Sequence, residues 1–164
     1  IDRQAGMEEA FKASGFTINA ETVSAADINL EGGLGLWDDL VIRKAEGELD
    51  YAMCANSTNS LGCLAASESA GRTDYKVFGI DDEADQLAAL TKENSIYYAT
   101  VAQNPFEIGV QVMEAAVHAV EGQDDGIVKV DGILVTRDTV QEYMANREKS
   151  LEELKDYLAI ITAS

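Results

Sequence analysis

Residues 97–107, YYATVAQNPFE, contain the sharpest change of pattern in this 164-residue chain. The run 97–102 is rich in aromatic and β-branched residues, which predicts a strand. Pro105 suits the first position of a helix, Asn104 is a common helix cap, and Glu107 follows it by three residues as in a capping box. The segment therefore predicts a strand ending near 102 and a helix that begins at Pro105.

The same order of elements recurs along the chain. Gly15, Gly47 and Gly71 each end a helical pattern, and glycine just past a helix adopts the left-handed backbone without a steric penalty. Strand-like runs follow at 16–23, 49–55 and 75–80. This alternation, with a period of about 25 to 30 residues, predicts an α/β fold in which helices cover both faces of an open, mainly parallel sheet in three layers (αβα).

The C-terminal part continues with a helix from Pro105 to Gly122. Asp138 and Gln141 form a second capping box, which predicts a short helix after it. Two short β-rich pieces precede that box, at 127–130 and 133–135. The last apolar residues recur at helical spacing and predict a further amphipathic helix that packs on its own domain: Leu151, Leu154, Leu158 and Ile161.

The composition excludes several classes of partner. Thirty acidic against 12 basic residues give a formal net charge of −18, which argues against direct binding of nucleic acid or of an anionic lipid surface. No stretch approaches the roughly 18 apolar residues of a membrane-spanning helix. The two cysteines, Cys54 and Cys63, lack CxxC spacing and nearby histidines, so we expect two buried thiols.

Polar side chains follow three of the predicted strands. Asn56 comes after the run 49–55, Asp81 after 75–80 and Gln103 after 97–102. Ligands bind at the carboxyl ends of strands in open parallel sheets, so we expect the three side chains to converge on one rim. Amides offer donors and acceptors and a carboxylate accepts from two adjacent hydroxyls, which suits a neutral polyol. The alternative is that each side chain only caps a helix or a turn.

Aromatic residues could complete such a site by stacking on a sugar ring, although a place in the core is the more common role for each of them. The candidates are Trp37, Phe78, Tyr98 and Phe106.

Other motifs point to no chemistry. The run Gly32-Gly33-Leu34-Gly35 lacks the Lys-Ser/Thr ending of a phosphate loop. The carboxylates at 81–83 are more typical of a solvated helix start than of a metal site. His118 has no nearby nucleophile signature. We therefore predict no catalytic residue, no metal site and no cofactor.

Four stretches carry a family resemblance: RQAGMEEAF at 3–11, DYAMCAN at 50–56, VFGID at 77–81 and ATVAQNPFEIG at 99–109. They resemble the C-terminal half of type 1 periplasmic sugar-binding proteins, the ribose- and galactose-binding relatives that serve ABC transporters. The resemblance covers about residues 1–145. It implies that Asn56, Asp81 and Gln103 hydrogen-bond the sugar, and it makes Arg3 the candidate for the sugar-gripping arginine of many relatives. Ser57 departs from the Asn-Asp pair that many relatives carry.

The resemblance also implies one lobe of a two-lobed fold. Residues 1–103 are then the C-terminal ligand-binding lobe, 104–131 cross to the other lobe, and 132–164 return as a strand and C-terminal helices. Because the chain starts on a helical pattern without a signal peptide, we expect it to be a fragment of a longer protein. We expect the apolar face of helix 105–121 to dock on its own lobe or on a second copy, by dimerisation or domain swapping.

The implied function is the extracytoplasmic solute-binding component of an ABC transporter, either a periplasmic protein or a cell-surface lipoprotein. It binds a sugar between two lobes, presents the closed form to the membrane permease, and is not an enzyme. The first alternative is the effector domain of a LacI-type transcription regulator or of a membrane sensor. A second is a phosphoacceptor enzyme built around Asp81 and Asp82, which would need a lysine after its last strand.

Overall fold

The computed structural model describes residues 2–15, 17, 19–25 and 27–162. These residues form six helices and a mixed, mostly parallel sheet of four strands with flanking helices, which confirms the predicted α/β class. The chain divides into two compact units, Ile1–Ile80 and Asp81–Ser164.

The first unit contains two parallel strands and three helices. Strand β1 pairs with β2 so that Tyr51 lies opposite Lys76 and Met53 opposite Phe78. Helix α3 packs on β2, and α2 packs on α3. The elements in chain order are α1 (Asp2–Ser14), α2 (Leu30–Arg43), β1 (Tyr51–Met53), α3 (Ser57–Ser69) and β2 (Lys76–Ile80).

Helices α2 and α3 meet backbone against backbone at two glycines. A Cβ added at Gly62 of α3 would lie 2.5 Å from the carbonyl carbon of Gly33 in α2. A Cβ added at Gly33 would lie 2.7 Å from the carbonyl oxygen of Thr58. The glycine-rich run 32–35 is therefore part of a helix, and Gly33 within it serves close helix packing.

The core of the first unit is built around α3. Trp37 and Leu40 of α2 are buried, as are Ala66 of α3 and both cysteines, Cys54 and Cys63. The expectation of two buried thiols is confirmed. The core position that the sequence favours for Trp37 is confirmed, because its side chain is buried here and cannot stack on a ligand.

Helix α2 ends at Arg43, four residues before the glycine that the sequence suggested. Arg72 explains the early end, because its guanidinium donates to three carbonyls at and beyond the last turn, those of Val41, Lys44 and Ala45 at 3.1, 2.7 and 3.2 Å. Asp74 holds Arg72 through a 2.7 Å contact with Nε and also accepts from the Gly47 amide at 2.8 Å. These two bonds lower the pKa of Asp74 far below its usual range.

The second unit contains two antiparallel strands and three helices. Strand β3 pairs with β4 so that Ala99 lies opposite Thr136 and Ala102 opposite Ile133. Helices α4 and α6 contact each other, and each contacts one strand. The elements are α4 (Ala84–Thr91), β3 (Tyr97–Ala102), α5 (Pro105–Val120), β4 (Ile133–Thr136) and α6 (Val140–Thr162).

Two predicted strands are absent from the described residues. In the first, 16–23, positions 16 and 18 lie outside the description, and the rest pair with no strand and are exposed except for Val23. In the second, 127–130, the residues run beside α5 without a strand partner in the described chain. Short runs of strand-forming side chains therefore did not suffice, since a strand also needs a paired backbone.

The predicted helices needed two corrections. The two C-terminal helices are one continuous helix, α6, in which Leu151 is exposed and the side chains of Leu154, Leu158 and Ile161 lie outside the described residues. At the start of α5, Pro105 is the first helical residue, as predicted. Asn104, however, has left-handed backbone (φ 54°) and makes no side-chain cap hydrogen bond, so the predicted capping box is wrong.

Candidate functional site

Asp81 stands directly after β2 in a left-handed conformation with φ of 83°. For a residue with a Cβ this conformation is unfavourable by about 1–2 kcal/mol, so neighbours must hold it. Its amide donates to the Val101 carbonyl at 2.9 Å, and its carbonyl accepts from the Thr100 hydroxyl at 2.7 Å. Strand β3 thus fixes the backbone on which the Asp81 carboxylate is carried.

Gln103 is the first residue after β3, and its side-chain amide donates to Oδ1 of Asp81. Two of the three predicted strand-end side chains are therefore in direct contact. They line a cleft of about 350 Å³, within the range of small-molecule sites. The other lining residues are Asp82, Glu83, Pro105 and Ile108.

Asn56 in the first unit caps α3. Its Oδ1 accepts from the Asn59 amide and from the Thr58 hydroxyl, both at 2.9 Å. The capping alternative is therefore correct for this oxygen. The Nδ2 group has no hydrogen-bond partner among the described residues, and the cap fixes the direction in which it points.

Arg3 contacts the residue that precedes Asn56. Its Nη1 donates to the carbonyl of Ala55 at 2.6 Å, one residue before Asn56. The structure thus brings Arg3 and Asn56 together in one unit, and Asp81 and Gln103 together in the other. The convergence of both pairs on one rim remains a prediction.

Sequence reasoning missed a network that surrounds Asp82. The Tyr143 hydroxyl donates to Oδ2 of Asp82 at 2.7 Å. Arg147 donates to the Asp82 carbonyl at 2.7 Å and lies 3.1 Å from Oδ2. Burial, and the hydrogen bond to Asp82, raise the pKa of Tyr143. Tyr143 and Arg147 lie four residues apart on one face of α6, but the sequence predicted a helix that ends at Met144, so this pair was not recognised.

The remaining aromatic candidates differ in exposure. Phe106 is 54% exposed and Tyr98 48% exposed, so both rings are accessible. Phe78 is half-buried and tilted against Tyr51 with ring centroids 5.8 Å apart. None of these rings lines the cleft beside Asp81.

Other titratable groups have structural partners. His118 lies 2.8 Å from both carboxylate oxygens of Asp125, which ties the end of α5 to the following loop. Within the described residues, no group of three or more His, Cys, Asp or Glu side chains is arranged to hold a metal ion.

Helix α5 has an exposed apolar face with no buried residue among those described. The expectation that it docks on its own lobe is therefore wrong for the described chain. A groove of about 420 Å³ runs between Ile108, Val112 and Ala115 of α5 and Val128 and Val130 of the loop. The large apolar side chains exposed on α5 are Phe106, Ile108, Val110, Val112, Met113, Val117 and Val120.

Comparison with known proteins identifies the fold family. A family model described as "Periplasmic binding protein domain" matches residues 1–124. This chain belongs to the periplasmic binding protein family. Among curated relatives of this periplasmic binding protein, the ribose import binding protein of Salmonella typhimurium is 30% identical over 122 residues. That match covers 74% of this chain and 39% of the relative, and the Escherichia coli protein is 29% identical over the same shares.

Solved structures agree in fold. A Bacillus halodurans ABC transporter solute-binding protein with bound myo-inositol superposes with a TM-score of 0.71 at 25% identity, over 87% of this chain and 48% of that one. The arabinose-binding component of a Shewanella ABC transporter gives a TM-score of 0.73 at 20% identity, over 94% and 51%. The chain thus spans about two fifths of its curated relatives and about half of these structures.

The part of this periplasmic binding protein that the structure describes contains no helix long and apolar enough to cross a membrane. Family relatives of the ribose-import type are extracytoplasmic proteins.

Proposed function

We propose that this chain forms the ligand-binding C-terminal lobe of an extracytoplasmic sugar-binding protein that serves an ABC transporter. The observation that carries the proposal is the contact between Gln103 and Asp81 in a cleft of ligand size. Family membership and relatives named for ribose import support it. In this proposal the protein is either periplasmic or a cell-surface lipoprotein, and it has no catalytic activity.

The ligand in this proposal is a neutral polyol such as a monosaccharide. A carboxylate at position 81 can accept from two neighbouring hydroxyls, while the Gln103 amide fixes its orientation. In this proposal Asn56 adds amide donors, and Arg3, which contacts the neighbouring Ala55 carbonyl, adds a cationic donor. Asp82 and Glu83 also line the cleft, so anionic sugars are disfavoured by repulsion.

The other lobe of the proposed protein takes up residues 104–131, with 1–103 and 132–164 forming the lobe described above. The exposed apolar face of α5 supports this division, because a row of large exposed apolar side chains on one helix is typical of a surface that meets a partner. Left-handed Asn104 marks the outgoing boundary. Gly132 marks the return, where an added Cβ would lie 2.5 Å from Val101 Cγ1. Closure about these two crossings traps the sugar and presents a new surface to the permease.

The regulator and sensor alternatives are not favoured, since matching relatives are named as a ribose import binding protein and an ABC transporter solute-binding protein. A second copy of the chain covering α5 is the remaining alternative to the other lobe as the partner of that helix.

A thermal-shift screen of the protein with both lobes tests the proposal. The probes are D-ribose, L-arabinose, myo-inositol and allitol, with D-ribose 5-phosphate as the anionic comparison. We expect at least one neutral probe to raise the melting temperature, because a ligand that binds only the folded state stabilises it. Asp81→Asn should abolish the shift, whereas Asp85→Asn, at an exposed position of α4, should keep it. Absence of any shift, or equal shifts in wild type and Asp81→Asn, would contradict the proposal.

A further inference from the structure

Asp82 joins the candidate site to helix α6. It lines the cleft together with Asp81, yet its own side chain is only 13% exposed because it faces α6. Tyr143 and Arg147, one helical turn apart, both reach it. Three contacts therefore hold one residue: two at Oδ2 and one at the backbone carbonyl.

These contacts matter because they act on the residue next to Asp81. Asp81 precedes Asp82 and has a left-handed backbone that does not persist unless both sides are held. On its own side, Val101 and Thr100 bind the Asp81 amide and carbonyl. On the following side, the carbonyl of Asp82 is held by Arg147. The turn is therefore held between β3 and α6.

The negative charges that line the cleft also favour the contacts between Asp82 and α6. Asp81, Asp82 and Glu83 are consecutive carboxylates, which repel one another. Arg147 lies 3.1 Å from Asp82 and offsets one of these charges, and the Tyr143 hydroxyl donates to the same oxygen. With Asp82 turned to α6, the Asp81 carboxylate is the one that meets Gln103.

We infer that Tyr143 and Arg147 are positioning residues for sugar binding: through Asp82 they hold the left-handed turn that directs the Asp81 carboxylate into the cleft. This inference rests on the proposed function. Neither residue touches the ligand in this scheme, and neither was suggested by the strand-end pattern that identified Asp81.

Two variants remove the contacts with little change in shape. Tyr143→Phe deletes only the hydroxyl, and Tyr51→Phe, at an exposed ring in the first unit, is its matched control. Arg147→Met removes the charge and donors, and Lys155→Met, at an exposed position on the same helix, is its control. Arg147→Lys keeps the charge and should restore part of the effect.

The first measurement needs no ligand. Amide hydrogen exchange, read residue by residue by NMR, reports the Asp81 amide bonded to Val101. We expect exchange at 81–83 to become about tenfold faster in Tyr143→Phe and in Arg147→Met, with the β4 amides unchanged. Unchanged exchange at 81–83 in both variants would overturn the inference. Arg147→Lys, the mildest change, keeps the test decisive if Arg147→Met does not fold.

The second measurement is calorimetric titration of the two-lobed protein with D-ribose, L-arabinose, myo-inositol and allitol. We expect both variants to raise the Kd for a bound probe about tenfold, while Tyr51→Phe and Lys155→Met leave it unchanged. Faster exchange with an unchanged Kd would overturn the inference. If exchange is faster in the variants but the wild type binds none of the probes, the proposed function is contradicted. The stabilisation of the turn by α6 would still be supported.

Discussion

Gly62 of α3 lies directly against Gly33 of α2, so closely that an added Cβ would stand 2.5 Å from the Gly33 carbonyl carbon. Two helices can approach to this distance only where neither carries a side chain. The contact sets the distance between α2 and α3, and with it the placement of the buried residues Trp37 and Cys63.

Alanine substitutions at Gly62 and at Gly35 should distinguish the effect of close helix packing on stability from the effect of helix propensity. Gly62→Ala should lower the free energy of unfolding by about 2 kcal/mol, because overpacking outweighs the gain in helix propensity. Gly35→Ala is the control: it lies in α2 with no atom within 4 Å of an added Cβ, and should stabilise the protein by up to about 1 kcal/mol. Urea unfolding followed by circular dichroism measures both, and equal effects of the two substitutions would contradict the contact.

Asp74 makes the first unit sensitive to acid. Its pKa is lower in the folded protein than in the unfolded chain, because Arg72 and the Gly47 amide bind the carboxylate. The ionised group therefore stabilises the fold at any pH above the ordinary aspartate value of about 4, and this contribution is lost as the pH falls through the folded-state pKa.

Urea titrations at several pH values check this sign. Asp74→Asn should lower the unfolding midpoint at pH 7, and its difference from wild type should shrink steadily below about pH 4. Asp38→Asn, at an exposed position of α2, serves as the control and should show neither effect. A difference that stays constant down to pH 2 would rule out the ionised Asp74 as its origin.

Two substitutions at Asp81 distinguish the effect of its left-handed backbone on stability from the effect of its carboxylate on sugar binding. Asp81→Gly and Asp81→Ala both remove the carboxylate, so both should lose the sugar-induced thermal shift of the two-lobed protein. Only glycine adopts φ of 83° without strain, so Asp81→Gly should unfold with a free energy about 1 kcal/mol higher than Asp81→Ala. Equal stability of the two variants would show that the backbone at position 81 is unstrained.

The sequence predicted what depends on local pattern. Strand β3 was predicted at its observed bounds, since residues 97–102 combine strand-forming side chains with a proline that starts the next helix. The contact of Asp81 with Gln103 followed from the rule that parallel strands end at one edge. The predictions that were wrong depend on non-local contacts. Residues 127–130 are rich in β-branched side chains but have no paired backbone in the described chain, and Arg72, 29 residues beyond Arg43, determines where α2 ends.

The network around Asp82 was missed for the same reason. Tyr143 and Arg147 lie 61 and 65 residues from Asp82, and no short spacing connects them. Asn56 shows a different limit of the sequence-based prediction, because the local pattern was compatible with both a helix cap and a ligand contact. The structure uses its oxygen for the cap, and its amide donors remain assigned to the ligand only by the proposal.

A substitution on the apolar face of α5 distinguishes between the two partners proposed for that face, which are the other lobe and a second copy of the chain. Val112 is 61% exposed and lines the groove beside the loop 126–130. In the 164-residue chain, Val112→Glu should change the free energy of unfolding by less than about 0.5 kcal/mol, because the side chain stays in water. In the two-lobed protein the same substitution should destabilise by about 2 kcal/mol or more, because an unpaired carboxylate is then buried.

Glu114→Gln, on the same helix, is the control and should be silent in both proteins. Light scattering of the 164-residue chain completes the comparison. A dimer that Val112→Glu converts to a monomer, together with a two-lobed protein that tolerates the substitution, would assign the face to a second copy and contradict the crossing of residues 104–131 to another lobe. If the 164-residue chain is a monomer and Val112→Glu destabilises only the two-lobed protein, the apolar face of α5 is assigned to the second lobe. The unfavourable burial of the carboxylate then occurs only where that lobe is present.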